Sequence, residues 1–295
     1  MSCGQIALER VGLQVGKYYA SEIKENAIKV TQYNYPNTIQ LGNVTKLNGS
    51  DLPKIDLLIG GSPCQNLSVA IAKEHRKGLE GDKSSLFYEY HRLLQEVKPK
   101  YFLLENVGGM DKKDKNIITE LLKVEPIKIN SKIVSGQLRN RVYWTNIPNV
   151  KIPKDKGIKL NDILIDGWSD REKSRCLLES DSRPLTTPIK MFHRYFSTGF
   201  TTLVFKSKQH YIDCVNHYNN NFKGMSAKDI GLILKTENID ISVYQGVRYL
   251  YQPELEKLQT VTEGYTNILT RNESAGLLGD GWTVDVIVHI LKHLK

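Results

Sequence analysis

Only four cysteines occur in 295 residues: Cys3, Cys64, Cys176 and Cys214 stand far apart, with no C-x-x-C pair. That scatter excludes a disulfide framework and the usual zinc spacings, and a reducing, cytoplasmic compartment is expected. No run of about 18 uncharged apolar residues exists. The first twenty residues also lack the basic, apolar and small-residue sections of a secretory leader. Neither a membrane span nor secretion is therefore expected. Internal repeats and low-complexity tracts are missing, and the composition excludes collagen and disorder. What remains is ordinary for a globular chain, with 40% hydrophobic and 25% charged residues. The length suffices to bury most apolar surface without staples or metals. Lys and Arg number 41 against 32 Asp and Glu, a net charge of +9 that favours a polyanionic partner.

The first 150 residues alternate short apolar runs with helical patterns, the sequence form of a parallel sheet covered by helices on both faces. Residues 6–15 and 24–33 read as helices. Tyr18 to Ala20 and Ile55 to Ile59 read as strands, each ending at something polar. Residues 84–97 place Leu86, Phe87, Tyr90, Leu93, Leu94 and Val97 at spacings of three and four, an amphipathic helix stopped before Pro99. Tyr101 to Leu104 form a buried strand that ends at Glu105-Asn106, and Val142 to Trp144 form another. From about Lys151 the periodicity weakens, yet Phe192 to Phe222 holds five of the seven Phe. This stretch reads as a second, smaller domain whose Phe residues form a small core. Val284, Ile287, Val288, Leu291 and Leu294 then make one face of a closing helix, which is expected to pack back on the first domain.

Four polar clusters follow or precede apolar strands: Glu22; Ser62-Pro63-Cys64-Gln65; Glu105-Asn106-Val107; and Gln137-Leu138-Arg139-Asn140-Arg141. In open α/β sheets ligands bind outside the carboxyl ends of the strands, so these clusters should converge on one crevice. Cys64 leaves a strand through a glycine-rich turn whose amides favour a thiolate. The competing reading is an inert small hydrophobe. Glu105 follows four apolar residues, where desolvation suits a carboxyl group that holds and delivers a proton; a structural carboxylate that caps backbone amides is the alternative. Arg139 and Arg141 alternate along an extended segment, and either hold a planar oxygen-bearing ligand by forked hydrogen bonds or pair with surface acids.

Gly60-Gly61-Ser62-Pro63-Cys64-Gln65-Asn66-Leu67-Ser68, then Glu105-Asn106-Val107, then Gln137-Leu138-Arg139-Asn140-Arg141, resemble in order and separation the DNA cytosine-5 methyltransferases of bacterial and phage modification systems. The likeness extends to Gly78–Leu86, Gln245–Thr260 and Leu278–Val286, sparing the stretch where that family carries its variable target-recognition domain. It implies an α/β, Rossmann-like S-adenosylmethionine-dependent fold. Residues 1–150 plus 255–295 would form the catalytic and cofactor-binding domain, and 151–254 the inserted target-recognition domain.

The resemblance also implies a chemistry. Cys64 attacks C6 of a flipped cytosine. Glu105 binds N3 and the exocyclic amine and protonates the ring, while Arg141 and Arg139 hold the base oxygen and phosphate. C5 then takes the methyl group, loses its proton, and the thiolate departs. S-adenosylmethionine would lie against Gly4, Glu22, Ile23, Asn43, Val44, Pro63, Leu86, Asp280 and Trp282, with Glu22 on the ribose hydroxyls. Asn43 stands where the family has an Asp that accepts from the adenine amine, Gly279-Asp280 where it has Gly-Asn, and Tyr251 where a Thr is common. Gln65, Ser68, Gln137, Arg194, Lys206 and Lys208 are expected to contact duplex DNA, phosphates setting register and a few side chains reading bases. Residues 151–250 suit this with 16 Lys and Arg against 11 Asp and Glu, a net +5. The chain is expected to act as a monomer, and the sequence has no feature that identifies a restriction endonuclease partner.

Family members open with an apolar strand and a Phe-x-Gly loop, whereas this chain begins at Met1-Ser2-Cys3-Gly4. Residues 1–295 are accordingly expected to bind the cofactor poorly and to be weakly active or unstable. Two other functions compete: a catalytically silent, methyltransferase-like DNA-binding protein, and a tRNA cytosine-5 methyltransferase.

Overall fold

The computed structural model describes residues 1–63, 67, 78–81 and 85–294. The chain divides into two compact units. The first holds Met1–Val134, Arg139–Lys156 and Trp282–Lys295; the second holds Ser135–Leu138 and Gly157–Gly281.

In the first unit, α1 (Cys3–Arg10) is followed by β1 (Tyr19–Ala20), α2 (Glu25–Asn34) and β2 (Ile39–Gln40). Then come β3 (Leu57–Gly61), α3 (Leu86–Val97), β4 (Tyr101–Val107), α4 (Lys112–Leu122), β5 (Ile127–Asn130) and β6 (Asn140–Thr145), and α10 (Val284–Leu291) returns at the end. The strands make two sheets, a parallel β1-β2 pair and a four-stranded sheet in the order β3-β4-β6-β5. β3 and β4 run parallel, but β6 is antiparallel to both β4 and β5. The parallel sheet expected from sequence is therefore a mixed one at this edge.

Local chemistry sets these elements. The apolar stripe of α3 buries Phe87, Tyr90 and Leu93, and the helix stops where Lys98 takes a left-handed conformation at φ 45°. Together with α4 it covers a core containing Phe87, Phe102, Leu104, Ile118, Val142 and Trp144. Each such side chain contributes roughly 1.5–3 kcal/mol by leaving water. Trp144 is fully buried and gives its indole N–H to Thr119 Oγ1 at 2.9 Å, as a buried indole must. The helix read over 6–15 is displaced to Cys3–Arg10, because Gly12 turns the chain at φ 75° and leaves Leu13 and Val15 exposed. α10 packs within the first unit, against α1, and the Arg10–Asp285 ion pair at 2.9 Å joins the two helices.

The second unit is mainly helical: α5 (Pro188–Thr198), α6 (Lys208–Asn221), α7 (Ala227–Thr236), α8 (Gln252–Leu258) and α9 (Arg271–Asp280). Phe192, Phe205 and Phe222 form its core with Tyr195, Tyr218 and Tyr244, so three of the five clustered Phe are core residues. Phe196 and Phe200 stay exposed. Residues 255–281, assigned from sequence to the catalytic domain, belong here instead. The reason is packing: α9 lies on a 3-10 turn at Glu179–Ser182 so closely that a Cβ on Gly279 would stand 2.4 Å from the Leu178 carbonyl carbon. Buried Glu254 at the start of α8 binds the Arg248 guanidinium at 2.8 Å and the Ile165 amide at 2.8 Å. Among the described residues no helix is long and apolar enough to cross a membrane.

Candidate active site

β3 ends at Gly61, whose register partner in β4 is Glu105, and β4 runs on to Val107 paired with β6. Asn106 fixes the next step by donating from Nδ2 to Ser62 Oγ at 2.9 Å, while its own Oδ1 accepts from the Val107 amide at 2.7 Å. Ser62 leads through Pro63 to the expected nucleophile. Cys64 itself, with Gln65 and Ser68, lies outside the described residues. Burial pushes the thiols of Cys3 and Cys214 upward, the latter to about 12. Both therefore remain protonated near neutrality and neither is a nucleophile.

Glu105 is 7% exposed. Arg141 Nε stands 2.7 Å from its Oε1, and Trp282 donates its indole N–H to Oε2 at 3.1 Å. The arginine contact is an ion pair at contact distance, and Oε1 accepts no aligned hydrogen bond from a described residue. Oε1 is therefore a buried oxygen compensated by charge rather than by a formed hydrogen bond. Arg141 pairs with Val107 across β4 and β6, and Tyr143 pairs with Glu105. Arg141, Tyr143, Glu105 and Val107 accordingly share one face of the sheet. Tyr143 is 1% exposed, and its phenol is pushed far up by burial, with the Glu105 carboxylate adding to the effect. Sequence reading missed Tyr143, although its place two residues beyond Arg141 in a strand was the signal available.

Two other polar residues of the arginine segment, Arg139 and Gln137, behave differently. Arg139 is 2% exposed, and its backbone amide donates to Asn130 Oδ1 at 3.1 Å. The contact expected of Gln137 is corrected. It lies in the second unit, fully buried, with Nε2 donating to the Leu258 carbonyl at 3.2 Å and Oε1 accepting from the Leu177 amide at 2.8 Å. Its amide joins three chain segments and has no face left for a base.

The residues expected around the cofactor are distributed unevenly. Glu22 follows β1, with Oε1 accepting from the amides of Ile23 and Lys24 at 2.8 and 2.9 Å. Its second oxygen makes no hydrogen bond to a described residue, and Ile23 beside it is 71% exposed. An acid so held, with one oxygen open and an apolar neighbour, fits a ribose diol. Asn43 and Val44 follow β2, but Asn43 does not fit the acceptor role given to it: its Oδ1 already accepts from the amide and the hydroxyl of Thr45, each at 3.0 Å. Both lone pairs are used, leaving only the donor end of the amide. Gly4 lies in α1, where a Cβ would stand 2.7 Å from the Tyr18 hydroxyl, and Pro63 and Leu86 are half-buried. Asp280 belongs to the second unit and Trp282 to the first. Of the residues assigned to DNA, Lys206 and Lys208 are exposed and Arg194 half-buried in the second unit.

The fold gives the class first. In structure the chain resembles DNMT2 of Spodoptera frugiperda, crystallised as a triple mutant, at a TM-score of 0.69 over 99% of this chain and 96% of that one, with 19% identity. Schizosaccharomyces pombe Dnmt2 superposes at 0.65 over 98% and 93%, with 14% identity. That likeness defines an α/β, Rossmann-like methyltransferase fold. The family follows from sequence: the model of C-5 cytosine-specific DNA methylases matches residues 2–295, and the chain belongs to that family. Among its relatives, the orphan methyltransferase M.SPRI of Bacillus phage SPR is 29% identical over 252 residues, covering 80% of this chain and 54% of that protein. Type II methyltransferase M.NgoBV of Neisseria gonorrhoeae is 33% identical over 170 residues, covering 50% and 40%. The chain thus spans about half the length, or less, of these relatives.

Proposed function

We propose that this protein transfers a methyl group to C5 of a cytosine flipped out of duplex DNA, with Cys64 as the covalent nucleophile. The observation that carries this reading is the Glu105 carboxylate, held in β4 by Arg141 and Trp282, with Gly61, three residues before Cys64, as its register partner. A pure DNA-binding protein has no use for a buried carboxyl group oriented in this way. Addition of the Cys64 thiolate to C6 breaks the C5–C6 double bond, and the proton that balances it comes to N3 from Glu105. C5 becomes the nucleophile. S-adenosylmethionine, when bound, supplies an electrophilic methyl group. Return of the N3 proton to Glu105, loss of the C5 proton to solvent and departure of the Cys64 thiolate then restore the aromatic ring and the enzyme. Glu22 would hold the ribose, and the second unit would bind the target DNA.

DNA containing 5-fluorocytosine tests this directly, because fluorine at C5 cannot leave as a proton and the adduct persists. The wild-type chain with S-adenosylmethionine should form a covalent complex that Cys64→Ser abolishes. Absence of any wild-type adduct would refute the reading in favour of the silent DNA-binding protein. Competition between duplex DNA and tRNA in the same assay separates the DNA substrate from the RNA one.

A further inference from the structure

The second unit contains a depression that the methyl-transfer chemistry does not use. It is lined by Arg194, Arg271, Arg183, Asp181, Thr201 and Tyr249. An adjoining hollow shares Arg271, Asp181, Thr201 and Tyr249 and adds Arg175 and Phe200. The charges do not balance. Arg183 is paired with Glu179 at 3.0 Å, but Arg175, Arg194 and Arg271 make no ion pair with a described residue. Arg271 is held by neutral oxygens, Nε donating to the Leu250 carbonyl at 3.0 Å, with the guanidinium 5.5 Å from the centre of the Tyr249 ring. Arg175 Nε is buried without a hydrogen-bond partner. Three guanidinium groups therefore face one carboxylate, and burial drives that carboxylate, Asp181, toward its neutral form. Partly buried cations without counter-charges cost stability unless an anion compensates them. Planar guanidinium forks beside threonine hydroxyls match the oxygens of a phosphate.

A free anion would need nothing more, but the hollow also carries Phe200, 62% exposed. A large aromatic side chain left in water beside an arginine cluster is the arrangement on which nucleobases stack. We propose that this depression binds a phosphodiester of the nucleic-acid backbone through Arg175, Arg194 and Arg271, with Phe200 as the stacking face for an adjacent unpaired nucleotide. This rests on the reading that the chain acts on nucleic acid, and it assigns a part of the second unit to sequence-independent anchoring.

The test is the salt dependence of binding for the full chain on fluorescent duplexes of several sequences, each carrying one unpaired nucleotide. Each neutralised phosphate contributes about 0.9 to the slope of log affinity against log salt. Arg194→Met and Arg175→Met should each lower that slope by about one and weaken every duplex alike, by roughly tenfold at moderate salt. Phe200→Ala, at an exposed position that folding does not require, should weaken binding about tenfold with the slope unchanged. Wild-type binding whose slope and affinity are insensitive to all three substitutions overturns the proposal alone. Inorganic phosphate that raises the melting temperature through Arg194, with duplex binding unaffected by the substitution, also overturns it, by showing a small-anion site. A wild-type chain that binds no duplex refutes the methylase reading and the proposal together.

Discussion

Trp282 gives its indole N–H to Glu105 Oε2 at 3.1 Å, joining residues 177 positions apart. The same indole lies against Gly61, where a Cβ would stand 2.9 Å from its Nε1. Gly61 and Glu105 are register partners, so one ring covers the last residue of β3 and its partner in β4. The Trp282 carbonyl is met by the Cys3 thiol at 3.6 Å, which ties this arrangement to α1.

Trp282→Phe keeps the ring and removes the donor. A hydrogen bond to a charged group contributes about 1.5–3 kcal/mol, so the single-turnover methylation rate should fall by about ten- to a hundredfold while duplex affinity holds. An unchanged rate would show that Glu105 needs no indole partner. Gly61→Ala should produce a similar loss by pushing the ring away from the carboxylate.

Arg141→Ala leaves the Glu105 carboxylate buried without a cation. Breaking such a pair from one side costs about 3–5 kcal/mol, and urea unfolding should show it as a lower midpoint. Removing the charge as well, in Arg141→Met with Glu105→Gln, should recover most of that stability but no activity. A double variant no more stable than Arg141→Ala would contradict this account of the pair.

Gln137→Ala distinguishes a buried connector from a base reader. It strands the Leu177 amide, at about 1–3 kcal/mol for the unsatisfied group, while the Leu258 carbonyl keeps the Ser135 hydroxyl at 2.6 Å. Bisulfite sequencing should find the methylated sequence unaltered in whatever protein still folds. Relaxed sequence preference without loss of stability would restore the DNA-contact role.

Gly279→Ala forces a Cβ to within 2.4 Å of the Leu178 backbone. Backbone cannot yield as a side-chain tip does, and overpacking of this kind costs about 1–3 kcal/mol. Denaturant unfolding should show the loss, and hydrogen exchange should place it in the second unit if α9 belongs there.

His289 gives a pH test. Burial lowers its imidazole below the ordinary value of 6.5, although its Nε2 donates to the Lys151 carbonyl at 2.6 Å. The folded state therefore prefers the neutral ring. The stability that follows is fully present above pH 6.5 and is lost as pH falls through the lower folded value. His289→Gln should flatten that part of the stability profile, measured by thermal unfolding between pH 7.5 and 5.

The end of β3 was legible in the sequence because a buried strand stopped by Gly-Gly has few other interpretations. The four apolar residues before Glu105 mark β4 but not its end, since the ladder with β6 carries the strand on to Val107. α9 was missed as a part of the second unit because every residue from Ser274 to Gly279 is buried. A helix of small residues buried all round has no polar face to reveal its period. Asn43 and Gln137 were misread for a related reason: the sequence shows that an amide is present, but not which neighbour has already used its oxygen. The bond from Trp282 to Glu105 depends on two distant segments meeting, which no local pattern encodes.

The β1-β2 pair and the β3-β4-β6-β5 sheet share no hydrogen-bonded ladder among the described residues. Glu22 and Glu105 therefore ride on separate backbone scaffolds. α1 spans them, with Gly4 touching both Tyr18 and Ile59. The spacing between Glu22 and Glu105 is consequently set by side-chain packing, which yields more readily than a ladder. Amide protons of β1 and β2 are therefore expected to exchange well ahead of those in β4, as hydrogen exchange would measure.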